Sequence, residues 1–103
     1  MLLAAQDAEE FASGLTFRQF DQDRLRQHAI IKAIEIIGEA AASVSRETRE
    51  HHPAIPWREI VGMRNRLVHA YFEVDVERVW ETVQRDIPQL ISLIEPLAPD
   101  PEP

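Results

Sequence analysis

The sequence predicts an all-α protein, an antiparallel bundle of four to five helices. Three observations carry that expectation. Apolar residues recur at spacings of three and four through nearly every long segment. Only three glycines occur in 103 residues. No alternating β-branched run is bounded by hairpin turns.

Residues 2–12 read as a short, weakly apolar helix stopped at Gly14. Thr16 with Gln19 fits a capping box that starts a helical turn through Phe17 and Phe20. Residues 22–44 are the strongest helix. Ile30, Ile34, Ile37 and Ala41 form one apolar row, and Ala29, Ala33, Ile36, Ala40 and Val44 form another. The polar residues shrink to a thin stripe of His28, Lys32, Glu35, Glu39 and Ser43. A helix apolar over so much of its girth must be covered on several sides, and so small a chain predicts a subunit interface. Residues 45–50 add a turn before the break at His51-His52-Pro53.

Pro56 suits the first position of the next helix, which should run to about His69 or Tyr71 with Trp57, Ile60, Val61, Leu67 and Val68 inward. Gly62 in mid-helix costs about 1 kcal/mol against Ala, which predicts close backbone approach there. Asp75 is a good N-cap for the last helix. Val76, Trp80, Val83, Ile87, Leu90 and Ile94 make its packing stripe, and Pro88 should kink it. Residues 1–95 therefore form one domain. Residues 96–103, with four of the seven prolines, read as a disordered tail.

Charge is unevenly spread. The chain carries 11 Lys and Arg against 18 Asp and Glu, a net charge of −7. That excludes a polybasic arm and any whole-surface attraction to nucleic acid. Residues 44–69, however, hold five arginines against three glutamates, together with three of the four histidines. An anionic ligand should meet this middle third. With zero cysteines there is no disulfide framework and no thiol chemistry. No apolar run spans a membrane and the start lacks a basic leader, so the expected location is the cytoplasm.

Within the middle third stands Met63-Arg64-Asn65-Arg66-Leu67-Val68-His69-Ala70-Tyr71-Phe72. Arg64, four residues and His69 match the Arg-x4–6-His motif of HEPN ribonucleases, with a polar Asn65 directly after the arginine. Tyr71 extends the match to the Arg-x4-His-x-Tyr form of HepT-type toxins. Further blocks stand in the order and spacing of that family: Ile36 to Ala41, Pro53 to Trp57, Ile60 to Asn65, Tyr71 to Asp75, and Val79-Trp80-x-x-Val83. The chain thus resembles the HepT-like family over nearly its whole length, although the family's first helix is usually longer. The resemblance implies a HEPN-like bundle that dimerises through its helices. It also implies an RNA endonuclease toxin that needs no metal and leaves a 2′,3′-cyclic phosphate and a 5′-hydroxyl. A minimal nucleotidyltransferase antitoxin would silence it by adenylylating Tyr71, adding charge and bulk where an RNA phosphate must sit.

RNA supplies its own nucleophile, because the ribose 2′-hydroxyl lies beside the scissile phosphate. A neutral imidazole, His69, can accept that proton as general base. A guanidinium, Arg64, can grip the phosphate through two oxygens and stabilise the charge that develops on it. Asn65 would orient His69 or the phosphate, and Arg66 is a candidate for contact with the RNA backbone. No metal is required by such chemistry and no cofactor is expected; Gly-rich phosphate loops are absent. His51-His52 has no third metal ligand at a convincing spacing, and His28, Glu35 and Glu39 read as a polar seam.

Arg64 and His69 differ by about 140° on an ideal helix, so they do not share a face. Either the helix is distorted near His69, or the arginine side chain curls round, or two copies of the chain line one cleft. The third reading is preferred, because the over-apolar helix asks for a dimer on its own account. A second functional reading stands beside the nuclease: a non-catalytic helical dimer that serves as binding module for the nucleotidyltransferase.

Overall fold

The computed structural model of the chain describes residues 1–68 and 73–97. It is all-α. In chain order it holds α1 (Leu2–Ala12), α2 (Phe17–Asp21), α3 (Arg24–Ala42), α4 (Arg46–His51), α5 (Trp57–Leu67), α6 (Val76–Glu81) and α7 (Ile87–Ile94). A π turn, Thr82–Asp86, joins α6 to α7, and a 3-10 turn, Glu95–Leu97, follows. Residues 98–103 of the expected tail lie outside the described residues. Among those described, no helix is long and apolar enough to cross a membrane.

Helix α3 is the axis of the bundle, with α1 along one flank and α5 along the other. Alanines make the first contact possible. Ala4, Ala5, Ala8 and Ala12 are the buried face of α1, and side chains that short let two helix backbones approach closely. Ile30, Ile34, Ile37 and Ala41 of α3 are fully buried, as the first apolar row requires. The second row is only partly covered. Ala33 is buried, but Ala29, Ala40 and Val44 are half-buried and Ile36 is 42% exposed.

Local polar chemistry sets the element ends. Thr16 and Gln19 form the expected capping box, with Thr16 N–H donating to Gln19 Oε1 (2.9 Å) and Gln19 N–H to Thr16 Oγ1 (3.2 Å). Gly14 takes φ +79°, a left-handed conformation that suits glycine. Asp23, Ser45 and Asp75 cap α3, α4 and α6. Buried Gln27 donates to the carbonyls of Phe20 and Asp21, closing the end of α2. Arg49 Nη2 donates to the carbonyls of Ala41 and Ala42, both at 3.0 Å, closing the end of α3. Phe20 is fully buried against Trp80, ring centroids 5.2 Å apart, and Phe17 meets the same indole edge-on at 6.0 Å.

One local expectation becomes specific and two are corrected. The interruption at Pro88 takes the form of a π turn on its N-terminal side, where Ile87 N–H donates to the Thr82 carbonyl five residues back. Proline cannot donate to the carbonyl four residues before it and crowds that oxygen, so one wide turn relieves both problems. The close backbone approach lies at Gly38, not Gly62. A β-carbon added at Gly38 would stand 3.3 Å from the Val61 oxygen, whereas at Gly62 it would meet only the Arg66 side chain at 3.7 Å. Finally, α5 ends at Leu67. Val68 is extended (φ −123°, ψ 122°) and forms an antiparallel bridge with Val74, and Asp75 N–H donates to the Leu67 carbonyl (2.9 Å). A β-branched residue in a bridge suits extended backbone better than a fourth helical turn.

Candidate functional site

The buried face of α5 is Ile60, Met63 and Leu67, so the intervening residues point outward around the rest of the helix. Val61, expected inward, is 41% exposed and stands beside α3 instead. Arg64 follows it by three residues on the same side. It divides two shallow clefts along the α3–α5 seam, of about 340 Å3 and 210 Å3. The first is walled by Glu35, Gly38, Glu39 and Ala42 of α3 with Val61 and Asn65 of α5. The second is walled by His28, Ile31, Lys32 and Glu35 of α3 with Val68 and Val74.

The polar stripe of α3 therefore has a destination. Four of its five members face the arginine's seam while the apolar row packs inward. Lys32 Nζ lies 3.7 Å from Glu35 Oε1, which occupies that carboxylate with a cation other than Arg64. Arg64 forms no ion pair with a described residue. Its Nη1 donates to Asn65 Oδ1 over a long 3.4 Å, and its Nε, shut off from solvent, has no hydrogen-bond partner among the described residues. A guanidinium held at a groove with donors to spare is suited to an anion that offers paired oxygens.

The other expected site residues separate. Asn65 is exposed beside Arg64. Arg66 emerges on the far side of α5, about 200° round the helix, where its Nη2 donates to the Glu59 carbonyl at 2.9 Å. The structure thus brings Arg64 and Asn65 together and leaves Arg66 elsewhere. His69 and Tyr71 lie outside the described residues. Both belong to the segment between Val68 and Val74, whose bridge pins its two ends beside the cleft that contains His28 and Arg64. Helix α5 stops at Leu67, before either of them.

Sequence reasoning passed over two contributors. Lys32 engages Glu35, and Gly38 lets α5 approach α3 closely enough to form the seam. The signal for both was a lone glycine and a thin polar stripe on an otherwise apolar helix. The histidine pair is remote from any such cluster: His51 Nδ1 hydrogen-bonds to the Glu47 carbonyl at 2.8 Å within α4. Among the described residues no three His, Asp or Glu side chains gather as a metal-binding group.

Comparison with known proteins bears on the family of the chain. The family described as "Ribonuclease HepT-like" matches residues 1–97. A "Probable ribonuclease HepT" of Thermococcus cleftensis is 47% identical over 89 residues, covering 86% of this chain and 81% of its own. Two proteins named "Putative RNase" are similar as well. One, from Methanocaldococcus jannaschii, is 37% identical over 95 residues (92% of this chain, 87% of its own). The other, from Caldanaerobacter subterraneus, is 42% identical over 81 residues (79% and 72%). No solved structure matches. With a match that runs from the first residue through the end of the last helical turn, the chain belongs to the ribonuclease HepT-like family.

Proposed function

We propose that this chain is an RNA endonuclease toxin that works without a metal ion. Arg64 binds the scissile phosphate and His69 takes the 2′-hydroxyl proton as general base. Asn65 orients His69 or the phosphate. The observation that carries the reading is the state of Arg64: set in a groove, with no ion pair to a described residue, a few residues before His69. As the 2′-oxygen attacks phosphorus, negative charge grows on the two non-bridging oxygens, and a bidentate guanidinium meets both. The 5′-oxygen leaves and takes a proton from water while His69 returns its own to solvent, so the products are a cyclic phosphate and a 5′-hydroxyl.

The active form is a homodimer in the same reading. Leu25 is 81% exposed and precedes the half-covered Ala29, Ile36 and Ala40 along α3. That strip adjoins the polar stripe, so a second copy seated on it would bring two Arg64 seams into one cleft. Control falls to a minimal nucleotidyltransferase partner that transfers AMP to Tyr71, adding negative charge and bulk that oppose an RNA phosphate.

The test is direct. The purified protein should cut unstructured RNA in EDTA, and His69→Ala should abolish cutting while leaving the melting temperature and helical signal in place. Cleavage that persists in that variant, or none by the unaltered protein across varied RNAs, defeats the nuclease reading. Incubation with the partner and ATP should add the mass of AMP, and Tyr71→Phe should prevent it. AMP found on any other residue defeats the assignment to Tyr71.

A further inference from the structure

On the side of α5 opposite Arg64, the chain forms a second groove of about 310 Å3 against the π turn. Its walls carry Arg66 of α5, Arg78 of α6 and Arg85 of the π turn, along with Glu81 and Asp86. The charge pattern of the chain makes this convergence informative. Residues 70–103 hold only two basic side chains against eight acidic ones, and both of the basic ones, Arg78 and Arg85, face this groove. None of the three arginines forms an ion pair with a described residue, although two carboxylates stand in the same walls.

The fold fixes the side chain of Arg66 and the backbone that presents Arg78. Arg66 lies back along its own helix, Nη2 donating to the Glu59 carbonyl at 2.9 Å, and Gly62 gives it room because no side chain stands there. Arg78 is the third residue after Asp75, whose carboxylate caps the helix at the Arg78 N–H (3.2 Å). Asp75 in turn is tied to the Leu67 carbonyl at the base of the segment that carries His69. The groove therefore begins at the foot of that segment, with the Arg64 seam on the other side of α5.

We propose that this groove is a second phosphodiester site, which takes the RNA strand as it runs on from the Arg64 seam. In its choice of ligand the proposal rests on the ribonuclease reading; its placement rests on the three arginines alone. An acidic surface repels a nucleic acid strand, so a strand that passes beyond the scissile phosphate needs local cations to hold it. Guanidinium groups spread over two helices and a turn suit successive phosphates, and they position a strand without reading its bases.

The experiment reads binding rather than cleavage. It uses the unaltered protein with 2′-O-methyl RNA, which lacks the nucleophilic hydroxyl, in strands of about four and about sixteen nucleotides. Fluorescence anisotropy should show that Arg78→Gln with Arg85→Gln weakens the long strand about tenfold and lowers its salt slope by about 1.4, the share of two phosphates on a single strand. Binding of the short strand should not change. A control pair with the same charge change, Arg18→Gln with Arg58→Gln, should leave the long strand's extra affinity intact. Equal losses in both pairs would show a net-charge effect and overturn the site. So would an unchanged long-strand affinity in the groove variant, or competition by polyglutamate equal to that by RNA of matched charge, which would assign the groove to an acidic protein segment. Failure of the unaltered protein to cut RNA, with length-dependent binding intact, would count against the nuclease reading and leave this groove standing.

Discussion

The Val61 carbonyl of α5 lies against the face of Gly38 in α3, so close that a β-carbon at Gly38 would stand 3.3 Å from that oxygen and 3.4 Å from the oxygen of Ile60. Both neighbours are backbone, and backbone within a helix yields less readily than a side-chain tip. Ala would gain about 1 kcal/mol of helix propensity over Gly, but only by pushing α5 away from α3. Gly38→Ala is therefore expected to destabilise the fold by about 1 kcal/mol net. It should also lower RNA cleavage, because Arg64 rides on the displaced helix. Chemical denaturation and a cleavage assay on the same preparation read both effects.

Gly62→Ala is the matched opposite. Its β-carbon would meet only the flexible Arg66 side chain, at 3.7 Å. The propensity gain should appear nearly whole, as a stabilisation of about 0.5–1 kcal/mol. The two alanine variants should thus shift the denaturation midpoint in opposite directions. A shared sign would show that the α3–α5 approach at Gly38 is looser than described.

That contrast shows what the sequence could and could not disclose. A mid-helix glycine signals that something needs the space, but the string does not say which of two glycines meets a neighbouring helix. The caps at Thr16, Asp23 and Asp75 were legible or nearly so, because a cap is a contact between residues three apart. The end of α5 was not, because Val68 leaves the helix to bridge Val74, six residues on, and pattern reading along a helix does not weigh that pairing. The motif drew attention to Arg64 and Asn65, which line one cleft of the seam. The company Arg64 keeps, from His28 to Glu39, required the crossing of α3 and α5.

Arg49 should prove important for stability and silent in catalysis. Its Nη2 satisfies two carbonyls at the end of α3, at the opposite end of that helix from His28. Arg49→Ala leaves those acceptors to water and removes a favourable cation from a helix C-terminus, a loss of about 1–2 kcal/mol. Cleavage per folded molecule should be unchanged. A fall in that specific rate at a temperature where the variant is fully folded would mean that Arg49 contacts substrate.

Trp80 fastens α6 to α2 through Phe17 and Phe20. Trp80→Ala removes both ring contacts and opens a cavity beside a fully buried phenylalanine, which should cost about 3 kcal/mol or more. Trp80→Phe keeps one ring in place and should recover more than half of that. Melting temperatures of the two variants decide it: equal losses would show that indole packing against these phenylalanines contributes little.

The half-covered row on α3 makes a prediction about shared sites. Ile36 is 42% exposed, and Ile36→Glu would set a charge in the middle of the apolar strip without disturbing the buried row. If a second copy covers that strip, the variant should remain folded and sediment as a monomer. Mixing then tests whether the two copies complete each other's chemistry. Arg64→Ala and His69→Ala should each be inactive alone. After subunit exchange, a cleft that takes arginine from one chain and histidine from the other would be intact once in every mixed dimer. Roughly a quarter of the unaltered activity should return, since about half the dimers are mixed and each holds one intact site of two. If both groups act within one chain, every mixed dimer has a broken pair in each half, and no activity should return at any ratio.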